Sequence, residues 1–141
     1  MEKLLKLRDE MKEDLLHGSI FPFWEQYTID HENGGFYGAV TVDKVIHKDA
    51  SKGLVLNARL LWTFAGAYRI FGDEKYLDSA LKSWAYIKAE IINGPAGEWF
   101  ASGKNSPDEE NSHLLCGPWK CPYHNARAAF EIYERCEALE K

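Results

Sequence analysis

Residues 52–87 read KGLVLNARLLWTFAGAYRIFGDEKYLDSALKSWAYI and predict the centre of the fold. From Ser51 to Phe71 the chain is almost too apolar for a surface helix, because its leucines and aromatic residues cover more than one helical face. Gly72 is a typical helix stop and Asp73 a typical N-cap. The residues that follow predict an amphipathic helix with the apolar set Tyr76, Leu77, Ala80, Leu81, Trp84, Ile87 and Ile91. We therefore expect two antiparallel helices joined tightly, the first being the most buried helix of the chain.

Two further helices flank this pair. Leucines at helical spacing predict an amphipathic helix up to Leu16, and Gly18 follows in a position that commonly ends a helix. The last helix is predicted from about Pro122 to Leu139, with proline suited to its first turn. The fold class is therefore mainly α, with about four helices.

Aromatic and turn-forming residues separate the helices and predict two short β-hairpins. Phe21 to Tyr37 is rich in turn residues, after which residues 36–40 and 45–47 are expected to pair around Asp43 and Lys44. Trp99 and Phe100 give a second strand signal, and the polar stretch from Ser102 to Gly117 is predicted to be loop.

Length and composition limit the class of protein. The 141 residues suit one domain, 1–141, with a real core. The formal charge of −5 is spread along the chain, which argues against nucleic acid as a partner. No segment is suited to export or to spanning a membrane, so we expect a cytoplasmic protein. Three cysteines, an odd number, favour reduced thiols over a disulfide framework.

The two halves of the sequence contain an internal repeat. Gly34-Gly35-Phe36-Tyr37 is similar to Gly97-Glu98-Trp99-Phe100, and Asn57-Ala58-Arg59 recurs as Asn125-Ala126-Arg127. The unit is a helix, an aromatic hairpin and a helix. Because such a unit cannot cover both of its apolar faces alone, it is expected to stack on similar units, as in a helical toroid.

The densest set of chemical groups lies between His113 and Asn125. His124 is either a general acid or base or a structural hydrogen-bonding residue near a helix start. A zinc site is a less favoured alternative, with the ligands His113, Cys116, Cys121 and His124, because no second close pair of cysteines completes a standard knuckle. Apolar packing is the ordinary role of Cys121 and Cys136.

Arg59 stands inside the apolar helix and must find an anion, carbonyl groups or water there. It either lines a cavity or pairs with an acid such as Glu25, Asp30 or Glu98. The five tryptophans either belong to the core or offer faces on which sugar rings stack.

These motifs resemble the cellobiose 2-epimerase family of the N-acylglucosamine 2-epimerase superfamily. Residues 52–64 are similar to an early inner-helix segment of the family, and Trp119-Lys120-Cys121-Pro122-Tyr123-His124-Asn125 to its last-helix signature. Residues 32–38 and 97–100 are similar to its first and final hairpins. The resemblance makes residues 1–92 like the N-terminal part of the family and 93–141 like its C-terminal end.

The resemblance implies a sector of an (α/α)6 toroid that binds an oligosaccharide. The family epimerises C2 of the reducing-end unit of β-1,4-linked disaccharides, such as cellobiose or lactose, through a cis-enediolate and without an organic cofactor. By match of motifs, His124 would be one of two acid/base histidines, Trp119 would lie against the sugar, and Arg59 would stabilise oxygen charge on the enediolate. No metal is expected.

The central part of the family's chain has no counterpart, so the two ends would be joined between Phe71 and Gly94. The second acid/base histidine is missing, because His17, His31, His47 and His113 lie outside the matching motifs. The alternative function is therefore a non-catalytic remnant, or a carbohydrate-binding sector that associates with itself. The first and last helices of a closed toroid are neighbours, so we expect one contiguous sector, whose exposed apolar flanks favour homo-oligomers such as a trimer.

Overall fold

The computed structural model describes residues 2–92, 114–116 and 122–139, and it is mainly helical. Its helices are α1 (Glu2–Leu16), α2 (Phe21–Tyr27), α3 (Leu54–Phe71), α4 (Glu74–Tyr86) and α5 (Tyr123–Leu139). A π-helical turn, Ile87–Ile92, continues α4. The two strands are β1 (Val40–Thr41) and β2 (Leu114–Cys116). Among the helices described, none combines the length and apolar character needed to cross a membrane.

The α3–α4 hairpin confirms the central prediction. Gly72 adopts the left-handed conformation with φ 72° and donates its N–H to the carbonyl of Tyr68 at 2.8 Å. The Asp73 carboxylate accepts from the backbone N–H of Lys75 at 3.1 Å and caps α4. Helix α3 begins at Leu54 rather than at Ser51. It buries residues on a broad face, namely Leu56, Asn57, Leu60, Thr63, Phe64, Gly66 and Ala67.

The helices form one contiguous sector, in the order α1, α5, α3, α4, because each packs along the next. Trp62 contacts Tyr123 at the start of α5, and Phe71, later in α3, contacts Tyr133, later in α5, so α3 and α5 run in the same direction. Arg8 of α1 lies over the ring of Tyr133. The expected contact between the first and last helices is confirmed.

Aromatic rings fill the core between these helices. Phe21 lies 5.0 Å from Tyr76 and 5.8 Å from Phe64, and Phe36 stacks on Phe64 at 5.7 Å, measured between ring centres. Phe130 brings α5 into the same cluster. Apolar side chains are also exposed on the two outer helices, at Leu4 and Leu7 of α1 and at Leu81 and Trp84 of α4.

Two local predictions were wrong. Phe21–Tyr27 forms the short helix α2, which had been assigned to a turn-rich stretch. Leu114–Cys116 had been assigned to a loop but forms β2, which pairs antiparallel with β1 so that Val40 lies opposite Cys116. Only backbone hydrogen bonding to β1 makes this segment a strand, because its three residues carry no alternating pattern of their own.

The first hairpin is confirmed in a minimal form. Val40 forms a bridge with Ile46, and the N–H of His47 donates to the carbonyl of Ala39 at 3.1 Å. Lys44 takes a positive φ of 63° in the turn. The predicted second hairpin at Trp99 and Phe100 lies outside the described residues.

Candidate functional site

The candidate site lies where the first half of α3 meets the start of α5. Arg59 and Trp62 are three residues apart and therefore share one face of α3. The guanidinium carbon of Arg59 lies 5.7 Å from the centre of the Tyr123 ring. Trp62 meets the same ring edge-on, with the ring centres 4.9 Å apart. The site is partly open, since Trp62 is 40% exposed.

A second arginine reaches the same ring from α5. Arg127 is one turn after Tyr123; its Nη1 donates to the Tyr123 hydroxyl at 3.2 Å, and its guanidinium carbon lies 6.0 Å from the ring centre. Two guanidinium groups thus approach one tyrosine at the N-terminal end of a helix, where the helix dipole also favours negative charge. This arrangement can stabilise negative charge that develops on an oxygen atom.

The structure brings Arg59 close to the helical turn that carries His124. His124 follows Tyr123 directly in the first turn of α5. The side chain of His124 and the whole of Trp119 lie outside what is described, as do the side chains that the zinc alternative requires from His113, Cys116 and Cys121. The side chains that are described contain no group of three histidine, cysteine or acidic residues suited to holding a metal ion.

Two of the acids considered as partners of Arg59 are held by lysines. Asp30 pairs with Lys52, and Glu25 lies 3.5 Å from the ammonium group of Lys75. Glu98 lies outside the described residues. Arg59 does contact an aromatic ring, Tyr123, which comes from the far end of the sequence and could not be foreseen from the residues of α3 alone.

Lys52 and Asp30 form a buried ion pair just before α3, called the lock below, which the sequence did not predict. Lys52 Nζ lies 2.5 Å from Asp30 Oδ2, and only 9% of the lysine side chain and 1% of the aspartate side chain are exposed. Lys52 Nζ also donates to the carbonyl of Gly34 at 2.7 Å. Its ammonium group lies 5.7 Å from the ring centre of Tyr37 and 5.1 Å from that of Tyr86.

Hydrogen bonds keep the Asp30 carboxylate ionised. Burial acts to raise the pKa of Asp30, but the hydrogen bonds from Lys52 and from the backbone N–H groups of Asn33 and Glu32 outweigh it and hold this pKa well below its usual range. The N–H groups of Glu32 and Asn33 lie 2.9 and 3.0 Å from Oδ1. The lock therefore ties the loop after α2 to the residues just before α3.

Gly35 shows how closely this loop approaches its neighbours. Its φ is 67°, and a Cβ atom at this position would lie 2.8 Å from Cγ of Tyr86 and 3.2 Å from Oδ1 of Asn57. The pair Gly34-Gly35 therefore indicated in the sequence that the backbone comes close to other residues here. Nothing in the pattern indicated that Lys52 would bind this loop.

Comparisons with known proteins agree with this fold. No family model matches the chain. A cellobiose 2-epimerase of Bacteroides fragilis is 41% identical over 87 residues, which are 62% of this chain and 21% of the relative. One of Eubacterium cellulosolvens is 34% identical over 139 residues, which are 95% of this chain and 32% of the relative. This chain thus spans a third or less of the length of these two relatives.

A solved structure extends the likeness to the fold. The cellobiose 2-epimerase of Spirochaeta thermophila superposes with a TM-score of 0.61 over 97% of this chain and 37% of its own, at 24% identity. At that identity the likeness bears on the fold alone, and it fits a sector of an α/α barrel.

Proposed function

Because this chain belongs to the cellobiose 2-epimerase family, we propose that it takes part in epimerising C2 of a reducing-end sugar. The proposed substrates are β-1,4-linked disaccharides such as cellobiose or lactose. The observation that supports the proposal most directly is the position of the Arg59 guanidinium over Tyr123, one residue before His124.

The proposed chemistry begins with the open-chain sugar. A base removes the proton from C2, the C2–H electron pair forms the C1–C2 double bond, and the carbonyl oxygen gains negative charge. Arg59 stabilises this charge on the cis-enediolate, while Trp119 lies against the sugar. Return of a proton to the opposite face of C2 inverts its configuration. His124 performs one of the two proton transfers, since imidazole can be poised near neutral pH.

A second acid/base group is needed on the other face of C2, and the matching motifs supply only His124. We therefore propose that an isolated copy exchanges the C2 proton more readily than it completes the epimerisation. Exchange needs one base on one face, whereas inversion needs a base on one face of C2 and a proton donor on the other.

Deuterium exchange tests this function. Cellobiose is incubated with the protein in deuterated buffer, and deuterium at C2 and any mannose-type reducing end are followed by NMR. His124→Ala is expected to reduce exchange by about 100-fold or more, in the range of general acid–base contributions. His47→Ala is the matched control, because His47 is an exposed histidine outside the matching motifs. Exchange that survives His124→Ala at the original rate would show that another residue is the base.

A second candidate function is carbohydrate binding without catalysis. The half-exposed Trp62 beside Tyr123 favours it, because aromatic faces pack on sugar rings. A well-folded sample that shows cellobiose-induced NMR shifts, lost in Trp62→Ala, but no deuterium exchange would support this function over the first.

We also propose that copies of the chain associate through apolar side chains on α1 and α4, where Leu4, Leu7, Leu81 and Trp84 are exposed. The mass in solution is measured on the same sample as the exchange rate. A monomeric mass at working concentration would argue against association, and it would leave the result for exchange unaffected.

A further inference from the structure

The two Asn-Ala-Arg repeats of the sequence converge on one residue. Arg59 ends the first repeat on α3, Arg127 ends the second on α5, and both guanidinium groups lie against Tyr123. We propose that Tyr123, anchored by Arg127, is a positioning residue that fixes the guanidinium of Arg59 for the sugar. The proposal rests on the function proposed above and assigns roles to Tyr123 and Arg127, to which that function gave none.

The ring of Tyr123 is constrained at its hydroxyl and at its edge. Arg127 is four residues later on the same helix, and its Nη1 donates to the hydroxyl at 3.2 Å. Trp62 packs against the ring at a steep angle of 65°. Because Trp62 comes from α3 and Arg127 from α5, the ring is held between the two helices.

The fixed ring of Tyr123 gives the Arg59 guanidinium group a surface to pack on before substrate binds. Its side chain has several rotatable bonds, and the guanidinium plane packs well on aromatic faces. A fixed ring restricts the orientations that this side chain adopts before substrate binds, so less order has to be imposed during the reaction. Arg127 adds a second positive charge near the same ring, and both charges favour a ligand whose oxygen becomes negative.

The alignment of the helices allows the ring and Arg59 to meet. Gly66 lies one turn beyond Trp62, and a Cβ atom there would approach the Phe130 ring to 2.8 Å. Arg69 and Glu134 form an ion pair between the same helices further along. The interface between α3 and α5 is thus fixed away from the site, so removal of Tyr123 is expected to release Arg59 without separating the helices.

Arginine NMR tests the proposal independently of turnover. The Nε–Hε signal of Arg59, assigned by its loss in Arg59→Lys, is compared among variants. In the intact protein we expect a shifted signal with slow solvent exchange. Tyr123→Leu should move it to the position of exposed arginines, whereas Tyr123→Phe should retain most of the shift. Arg127→Met should broaden the signal or move it part of the way. Tyr133→Leu, which removes a ring from the same interface next to Phe71, is the matched control and should leave it unchanged.

Kinetics then distinguish this inference from the proposed function. Where the intact protein exchanges the C2 proton, Tyr123→Leu should lower kcat by about 10-fold with KM within about 2-fold, as expected when an interaction made in the transition state is lost. Absence of exchange in the intact protein would overturn the proposed function, and the NMR series would still decide the role of Tyr123. An Arg59 signal unmoved by Tyr123→Leu, or moved equally by Tyr133→Leu, would overturn the positioning role.

Discussion

Lys52 and Arg59 are seven residues apart and both place a positive charge over aromatic rings, but they differ in their surroundings. Lys52 is nearly excluded from solvent, with Asp30 as its ion-pair partner and the Gly34 carbonyl as a second acceptor. Arg59 lies over Tyr123 beside the half-exposed Trp62 and the exposed Arg127. Lys52 is therefore a cation that stabilises the fold, whereas Arg59 and Arg127 are cations at a partly open surface that a ligand can reach.

Removal of the buried cation should have the largest effect on stability. Lys52→Met leaves the Asp30 carboxylate buried without its ion-pair partner and should lower the free energy of unfolding by about 3–5 kcal/mol. Chemical denaturation measures this loss. Lys48→Met is the matched control, because the Lys48–Glu32 pair lies near the same loop but its side chains are 60% and 68% exposed. The control should cost less than about 1 kcal/mol, and equal losses in the two variants would contradict a special role for the lock.

Acid should lower the stability through the same carboxylate, by a smaller amount. The pKa of folded Asp30 is held below its usual value, so the unfolded chain binds more protons as the pH falls. The stability that this group contributes is full above the unfolded pKa, near 3.8, and is lost as the pH falls towards the folded pKa. Denaturation midpoints between pH 5 and pH 2 should fall less steeply in Asp30→Asn than in the intact protein. Parallel curves would show that Asp30 does not contribute to the acid dependence.

A third substitution changes the interface between α3 and α5 and leaves the Lys52–Asp30 ion pair intact. Gly66→Ala forces the Phe130 ring to shift, which typically costs about 1–3 kcal/mol, while alanine returns up to about 1 kcal/mol of helix propensity. We expect a net loss of about 1 kcal/mol and, because the Trp62 ring centre lies 6.0 Å from that of Phe130, a change in the tryptophan fluorescence of the chain. Ala65→Gly, on the exposed side of the same helix, should lose a similar amount of stability without that spectral change. The same spectrum in both variants would argue that α3 and α5 do not meet as described.

Local signals were sufficient for the four longer helices and for the tight turn between α3 and α4, but not for contacts between distant parts of the chain. Gly72 and Asp73 marked the turn between α3 and α4 because capping depends on residues within one turn of a helix end. Helix α2 was missed because seven residues, with Pro22 near the start, give too short a pattern to separate from turns. Strand β2 was missed because its partner β1 lies more than 70 residues earlier in the chain.

For the site, too, single residues could be predicted from local signals, whereas their contacts could not. Arg59 was conspicuous as a charged residue in an apolar helix, and its motif led to the family. Tyr123 was part of a motif too, but its contact with Arg59 depends on the parallel packing of α3 and α5, which no local pattern encodes. Lys52 was overlooked because a lysine just before a helix is ordinarily exposed, and the groups that surround it, Asp30, Gly34, Tyr37 and Tyr86, are distant in sequence.

The packing of α1 against α5 has a consequence for how the chain folds. The α3–α4 hairpin involves neighbours in sequence and can form quickly, whereas the α1–α5 contact closes a loop of about 100 residues and must come late. At a synthesis rate of roughly 5–20 residues per second, α1 waits on the order of 5–20 seconds on the ribosome before α5 is made. Through that interval α2 can already pack on α1, but the part of the α1 apolar face that α5 later covers stays open to chaperones.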